Sequence, residues 1–460
     1  MRETPFHSRF TTLLSGAVLG VYVLIVAGAT AAIADAARAC SSWPVCSQPP
    51  TLGEPALLVA WGHRLTALIV GVLVLMTAVV GWQVARRRRV RYALAAALAL
   101  FPVQIGVGAF VATTGAAGGL PAIHLVVAAS IFAALVASLA WHLEAGAEDD
   151  QPITTDPEPA VEPLDDVAVT RPSGIVDTAW AYFSLTKPRL MWLLSLVASA
   201  GMALSASGSI PIATILATLG GGVLAIGASG TFNHVLERDV DRRMNRTADR
   251  PLTTEQVPVA NALLFGLALA ALSLGVFLTV NVLVAVLGLI AIVFYSVIYT
   301  LLLKPNTVQN TVIGGLAGAL PALIGSAAVT GTIGPPGLAL ATLVFLWTPA
   351  HFYNLALAYK DDYARGGFPM MPVVRGEATT RKHILWYLAA TLLAATAVTA
   401  IADLGALFAA TTVALGAVFL WMVVQLHRER TESAAFRAFH ASNAYLGAIL
   451  AAIVIDALAI

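Results

Sequence analysis

The chain has 460 residues, of which 58% are hydrophobic and only 11% charged, with 26 Lys and Arg set against 25 Asp and Glu. Ordinary soluble domains are nearer half apolar and a quarter charged, so the composition excludes one and points to an integral membrane protein. The lipid bilayer is its expected surrounding, and no nucleic-acid partner is expected.

Apolar runs of roughly twenty residues are long enough to cross a bilayer. About thirteen occur, near 13–34, 61–83, 92–113, 122–143, 188–207, 211–231, 258–278, 281–302, 310–330, 337–358, 383–402, 406–426 and 440–459. Runs this long and this frequent predict an all-α membrane bundle, because barrel strands are shorter and alternate. The first run is expected to stay as a membrane helix, since no clear small-residue cleavage site follows it before the next span. With Met1 placed in the cytoplasm, all of the 26 Lys and Arg except Arg38 and Arg64 fall on that side. The positive-inside bias then predicts a cell-membrane protein with a cytoplasmic N-terminus and an extracytoplasmic C-terminus.

The first four spans carry two features. Cys40 and Cys46, the only cysteines, lie in RACSSWPVCSQPP in the first outer loop. An extracytoplasmic setting permits a disulfide between them, the alternative being two free thiols. His63 begins the second span in WGHRLTAL, and His124 begins the fourth in LPAIHLVVAA. Two neutral imidazoles from different helices can ligate one haem iron axially. The plainer alternative is that each anchors a helix end at the interface.

Residues 144–174 hold nine Asp and Glu and no Lys or Arg before Arg171. A polar, Pro-rich, acidic segment cannot bury enough apolar surface to order itself. It is expected to be a disordered cytoplasmic linker between a four-helix unit, residues 1–143, and a nine-helix unit, residues 175–460. Setting its nine acids aside from the 25 leaves 16 against 26 basic side chains. The near-neutral total thus hides a basic cytoplasmic face, suited to anionic headgroups or a phosphorylated substrate.

The stretch NHVLERDVDRRMNRTADRPL, from Asn233, packs four acidic and five basic side chains into twenty residues. Asn233, Glu237 and Asp241 are four apart, which on a helix makes one stripe of oxygen-bearing side chains. Asp239 points elsewhere. Mg²⁺ takes oxygen ligands, often carboxylates together with substrate phosphates. Arg238, Arg242, Arg243, Arg246 and Arg250 can meet phosphate oxygens. A solvated loop with surface ion pairs is the alternative. A second stretch on the same face, YKDDYARGGFPMMPVVRG from Tyr359, carries the adjacent pair Asp361 and Asp362. Adjacent carboxylates repel unless a cation lies between them or water screens them, so the two stretches together suit two Mg²⁺ bridging a diphosphate. Asn306, Gln309 and Asn310 either contact phosphate or cap a helix. Tyr295 and Tyr299 either face a cation or pack in the core.

N-x-x-x-[D/E]-x-x-x-D followed by a second Asp-rich loop resembles the UbiA superfamily of intramembrane prenyltransferases. LTKPRLMWL from Leu185, ERDVDRRMNRTADRPL from Glu237, YTLLLKPNTVQNTVIGGLAGALPALIG from Tyr299 and WTPAHFYNLALAYKDDYARGGFPMMPVV from Trp347 resemble its haem O synthase (protohaem IX farnesyltransferase) branch. The likeness covers about residues 175–460. It implies a UbiA-like nine-helix bundle. It further implies Mg²⁺-dependent transfer of a farnesyl, or longer prenyl, group from its diphosphate to a vinyl group of protohaem IX. The products would be hydroxyfarnesyl haem (haem O), made for terminal oxidases, and diphosphate. On this resemblance Asn233, Glu237, Asp241, Asp361 and Asp362 are metal ligands. Lys187, Arg189, Arg238 and Lys360 assist departure of the diphosphate. Arg242, Arg246, Arg250, Asn306, His351 and Asn354 bind substrate. Glu237 stands where many relatives have Asp, and Arg365 stands where the superfamily's D-x-x-x-D has its second acid.

The first segment has its own resemblance. Cys-x5-Cys around Trp-Pro, His63-Arg64, Gln104-Ile105-Gly106 and PAIHL are similar to one four-helix half of haem A synthase, over about residues 8–143. That family has two such halves, each with a His pair; this chain has one, and Trp61 and Gly62 stand where a Glu is common. The likeness implies a haem held by His63 and His124, with a homodimer as one way to supply a second half. Competing readings are a prenyltransferase acting on a quinone precursor or chlorophyllide, and a haem-binding membrane protein with an inactive transferase unit.

Overall fold

The computed structural model describes residues 5–85, 87–114, 119–145 and 172–459, with no strand among them. Arg86 and most of the acidic segment, residues 146–171, lie outside these. Thirteen helices among the described residues are long and apolar enough to cross a membrane. They are α1 Pro5–Ile33, α2 Pro55–Val84, α3 Arg88–Thr114, α4 Leu120–Leu143, α5 Pro188–Ser205, α6 Ile212–Leu236, α7 Val259–Leu278, α8 Val282–Val293, α9 Asn310–Thr330, α10 Pro335–Ala358, α11 Glu377–Ala402, α12 Ala406–Glu429 and α13 Glu432–Ala459. The span of α8 is completed by a π-helix, Phe294–Leu303. Lipid offers no partner to an exposed N–H or C=O, so an apolar run that enters it must satisfy its backbone internally, as a helix does. Proline opens α2, α5 and α10, where a missing N–H leaves nothing unpaired.

Several helices begin earlier than their apolar runs, notably α1, α2 and α13. Polar and charged residues extend α1 and α13 by about two turns, which apolar windows do not register, and α2 is extended by the apolar residues 55–60. His63 is therefore two turns inside α2, not at its start.

The chain divides into two compact units: residues 1–149 with 385–430, and residues 150–384 with 431–460. In the first, α1 packs on α2 and α3 on α4, closed by α1 with α4 and α2 with α3. That order puts α2 and α4 on a diagonal. The end of the sequence-defined four-helix segment does not end the unit, because α12 packs on α1 and α4. Buried Tyr22 and Thr412 share a hydrogen bond of 3.1 Å. The buried Glu144 carboxylate lies 3.7 Å from both His427 and Arg430. Cys40 and Cys46 form a disulfide, their Cα atoms 5.2 Å apart. Its loop is fastened to α2: Arg64 donates to the carbonyls of Cys40 (3.1 Å) and Pro44 (3.3 Å), and Trp61 donates to that of Gln48 (3.0 Å).

In the second unit α6 packs on α7, and α9 packs between α5 and α10, with α13 against α5 and α10. The α5–α9 contact is made by small residues. A Cβ at Gly201 would stand 2.4 Å from the Ala322 carbonyl oxygen, and one at Gly325 would stand 2.1 Å from that of Ala198. Backbones this close gain dispersion contacts that lipid tails cannot match.

Candidate active site and a histidine pair

The charged stretch gathers where α6 ends. Its last helical residue is Leu236; Glu237 breaks the helix and Arg238–Asp241 forms one further turn. Asn233, Glu237 and Asp241 are buried, while Asp239 is exposed. Each of the three oxygens faces a cationic side chain. Lys187 Nζ donates to Asn233 Oδ1, and also to the Tyr295 hydroxyl at 3.2 Å. Lys304 donates to Glu237 at 2.5 Å, and Arg250 to Asp241 at 2.6 Å. Asn233 Nδ2 in turn donates to Thr300 Oγ1 at 3.0 Å.

Two backbone irregularities make this possible. Lys187 caps α5 in the left-handed region, at φ 54°. The π-helix carries Tyr295 and Thr300, with Lys304 at its C-terminal cap. A π turn changes the spacing of side chains along a helix, and such turns recur at functional sites. Lys304 and Arg365 are absent from the residues the sequence singled out as site members. Lys304 stands near the right stretch, but spacing from Tyr299 cannot reveal its partner when the helix is not α.

Electrostatics follow from burial. Burial, with Arg250 and Lys304 close by, pulls the Lys187 ammonium down to about 7 against Glu237 and Asp241. Burial pushes the Glu237 carboxyl up, but Lys304 and Lys187 outweigh it and hold it below its usual range. Burial raises the Asp241 carboxyl even with Arg250 beside it.

The second acidic stretch joins the first through Asp362. Its carboxylate accepts the backbone N–H groups of Asn245 (3.3 Å) and Arg246 (3.1 Å), and the Arg365 guanidinium. The Arg246 guanidinium lies over the rings of Tyr359 (4.9 Å) and Tyr363 (5.4 Å). Asp362 is buried in the short helix Lys360–Arg365, whereas Asp361 is exposed. Lys360 pairs with Glu377 at 2.5 Å, and that bond raises its ammonium. Arg238 and Arg242 reach Glu255, at 3.5 and 3.4 Å.

Other expected members stand apart. Arg189 is exposed and makes no hydrogen bond or ion pair to the cluster among the described residues. Asn306 is exposed and donates to the Leu302 carbonyl at 3.0 Å, closing the end of the π-helix. His351 is a hydrogen-bonded core residue. It is stacked on Trp347 and Phe439 at 4.3 Å each, with Nδ1 2.6 Å from Ser442 Oγ. Asn354 donates to Ala350 O at 2.6 Å, and its Oδ1 is buried without a partner.

The donor set fits Mg²⁺ in chemistry: buried amide and carboxylate oxygens from two stretches. No group of three or more His, Cys, Asp or Glu is preassembled for a metal among the described residues. The oxygens are instead held by cations. Because Lys187 rests on a neutral amide, three part-buried basic side chains, Lys187, Lys304 and Arg250, face two buried carboxylates, Glu237 and Asp241.

In the first unit, His63 on α2 and His124 on α4 occupy diagonal helices. Both Nδ1 atoms are buried without a partner. Both rings use glycine notches. A Cβ at Gly28 would lie 3.4 Å from His63 Cε1, and one at Gly108 would lie 3.0 Å from His124 Cε1. Unspent ring nitrogens on diagonal helices fit a metal-bearing cofactor.

An apolar helical bundle that gathers buried carboxylates and amides with part-buried basic side chains at one end of its helices has the make-up of an intramembrane enzyme. Residues 194–447 match the UbiA prenyltransferase family, and the chain belongs to it. Two relatives named Protoheme IX farnesyltransferase match almost end to end. One from Haloarcula marismortui is 62% identical over 98% of this chain and 99% of its own length. Protoheme IX farnesyltransferase 1 of Natronomonas pharaonis is 63% identical over the whole of both. A third of that name, from Mycobacterium avium, is 45% identical over 62% of this chain and 93% of its own length. A solved structure described as digeranylgeranylglyceryl phosphate synthase in membranes shares the fold, with TM-score 0.53 and 15% identity over 62% of this chain and all of that one.

Proposed function

We propose that the chain is a haem O synthase, moving a farnesyl group from farnesyl diphosphate to a vinyl group of protohaem IX. The observation that carries this is the Asp362 junction, which fixes the second acidic stretch to the first beside the part-buried Lys187, Lys304 and Arg250. The names of the relatives support the donor and acceptor. Mg²⁺ would be held by Asn233, Glu237 and Asp241, and by Asp362 with Asp361; when bound it supplies Lewis-acid stabilisation of the departing diphosphate. The protein's own part is electrostatic. Lys187, Lys304 and Arg250 turn from their resting oxygens toward the diphosphate as its charge grows. The C–O bond breaks with its electron pair on the diphosphate. The allylic carbon bonds to the terminal vinyl carbon, and water adds at the other vinyl carbon and loses a proton. The apolar bundle keeps water from the allylic cation until then.

The unit doing this would be residues 175–460, at the cytoplasmic face of the cell membrane, with the C-terminus outside. Membranes incubated with protohaem and farnesyl diphosphate should yield haem O by mass spectrometry, and a chelator should abolish it. Consumption of a quinone precursor with no haem O would refute the reading. The four-helix segment, residues 1–143, is proposed to hold a second haem between His63 and His124, on the strength of their unpartnered nitrogens and glycine notches. A homodimer would place two such segments together.

A further inference from the structure

The two imidazoles of the first unit are not equivalent. His63 makes no hydrogen bond among the described residues, and its Nδ1 is buried and unspent. His124 is tied: its Nε2 lies 3.1 Å from Gln104 Nε2. Gln104 is buried on α3, at 8% exposure, one turn before Gly108. The two residues share a face of that helix. One binds the ring nitrogen and the other makes room for the ring.

The arrangement leaves polar atoms unsatisfied. With the Gln104 amide nitrogen turned to the ring it can only donate, and in that orientation His124 Nε2 accepts and the ring proton sits on Nδ1. That Nδ1 has no acceptor, and neither has Gln104 Oε1 a donor. A buried polar group without a partner is costly, so this resting state is poised to rearrange.

We infer that Gln104 is a resident competitor for the iron-binding nitrogen of His124. Haem engages His63 first and takes His124 only when the Gln104 bond breaks. The inference rests on the haem site proposed above. It gives that site one strong and one reluctant axial ligand, the property of a site that loads and releases its cofactor rather than storing it.

Titrating haemin into the full-length protein in detergent tests this, read by the low-spin bis-histidine spectrum and by the rate of haem loss to apomyoglobin. Gln104→Leu, and Gln104→Met as a variant of similar bulk, should raise the low-spin fraction and slow haem loss by about two- to tenfold, the worth of one net hydrogen bond. Spectra and rates equal to the native protein in both variants would overturn the inference while leaving the site intact. His63→Ala and His124→Ala separate the two claims. If both still bind haem as the native protein does, the haem site is wrong and the inference falls with it.

Discussion

The charged cluster of the second unit and the histidine pair of the first are built on opposite plans. In the cluster nearly every functional oxygen already has a partner: Lys187 on Asn233, Lys304 on Glu237, Arg250 on Asp241, Arg365 on Asp362. Around the histidines, ring nitrogens are left over and the rings pack against glycines. A site for a highly charged, transient ligand cannot wait empty inside an apolar bundle, because unpaired buried charges are too costly. Its oxygens are therefore each paired with a cationic side chain that can change partner. A site of the kind proposed for the histidine pair would need open ring nitrogens more than charge.

Four experiments would break or sharpen this contrast. Asp241→Ala should lower haem O formation by about 100-fold or more, the scale for losing one preorganised electrostatic contact. It should leave haem absorbance in the first unit unchanged, and retained transfer would remove Asp241 from the machinery. Lys304→Gln strands the buried Glu237 carboxylate, and kcat/KM for the prenyl diphosphate should fall about 10- to 100-fold. Lys304→Arg should recover part of it; equal loss in both would mean that shape rather than charge matters there. His63→Ala should remove the bis-histidine spectrum yet hold transfer within about twofold, as independent sites do. A collapse of transfer would show that the two plans serve one reaction. Smallest of all, a protease site placed within residues 150–165 and cut in detergent should change neither elution nor activity, because α12 packs on α1 and α4. Separation of the fragments on a sizing column would show that packing too weak to hold them.

Much of this was legible in sequence, for physical reasons. Twenty-residue apolar runs have one stable form in lipid, so the thirteen spans follow from composition. The stripe Asn233, Glu237 and Asp241 follows from helical periodicity, and the structure buries all three. Partners were harder to read. Lys304 reaches Glu237 from a π-helix, whose spacing no α-helical rule anticipates. Lys187 owes its position to a left-handed backbone at a non-glycine residue. Asp361 and Asp362 look alike in sequence, yet one is exposed and the other buried, a distinction made by the N–H groups of Asn245 and Arg246 far along the chain. His351 illustrates the converse: Trp347 stands one turn before it on its own helix, but Phe439 and Ser442, which complete its surroundings, come from a helix distant in sequence.

The packing of α1 and α4 on α12 has a consequence for how the chain is made. Helices α1 and α4 leave the ribosome more than two hundred residues before α12 does. Until Thr412 and His427 arrive, Tyr22 and Glu144 have no counterpart on that helix. The first unit cannot close until nearly the whole polypeptide has been synthesised. During insertion the second unit's early helices must assemble while the first stands open, so the order of translation and the order of completion are reversed for the N-terminal third of the protein.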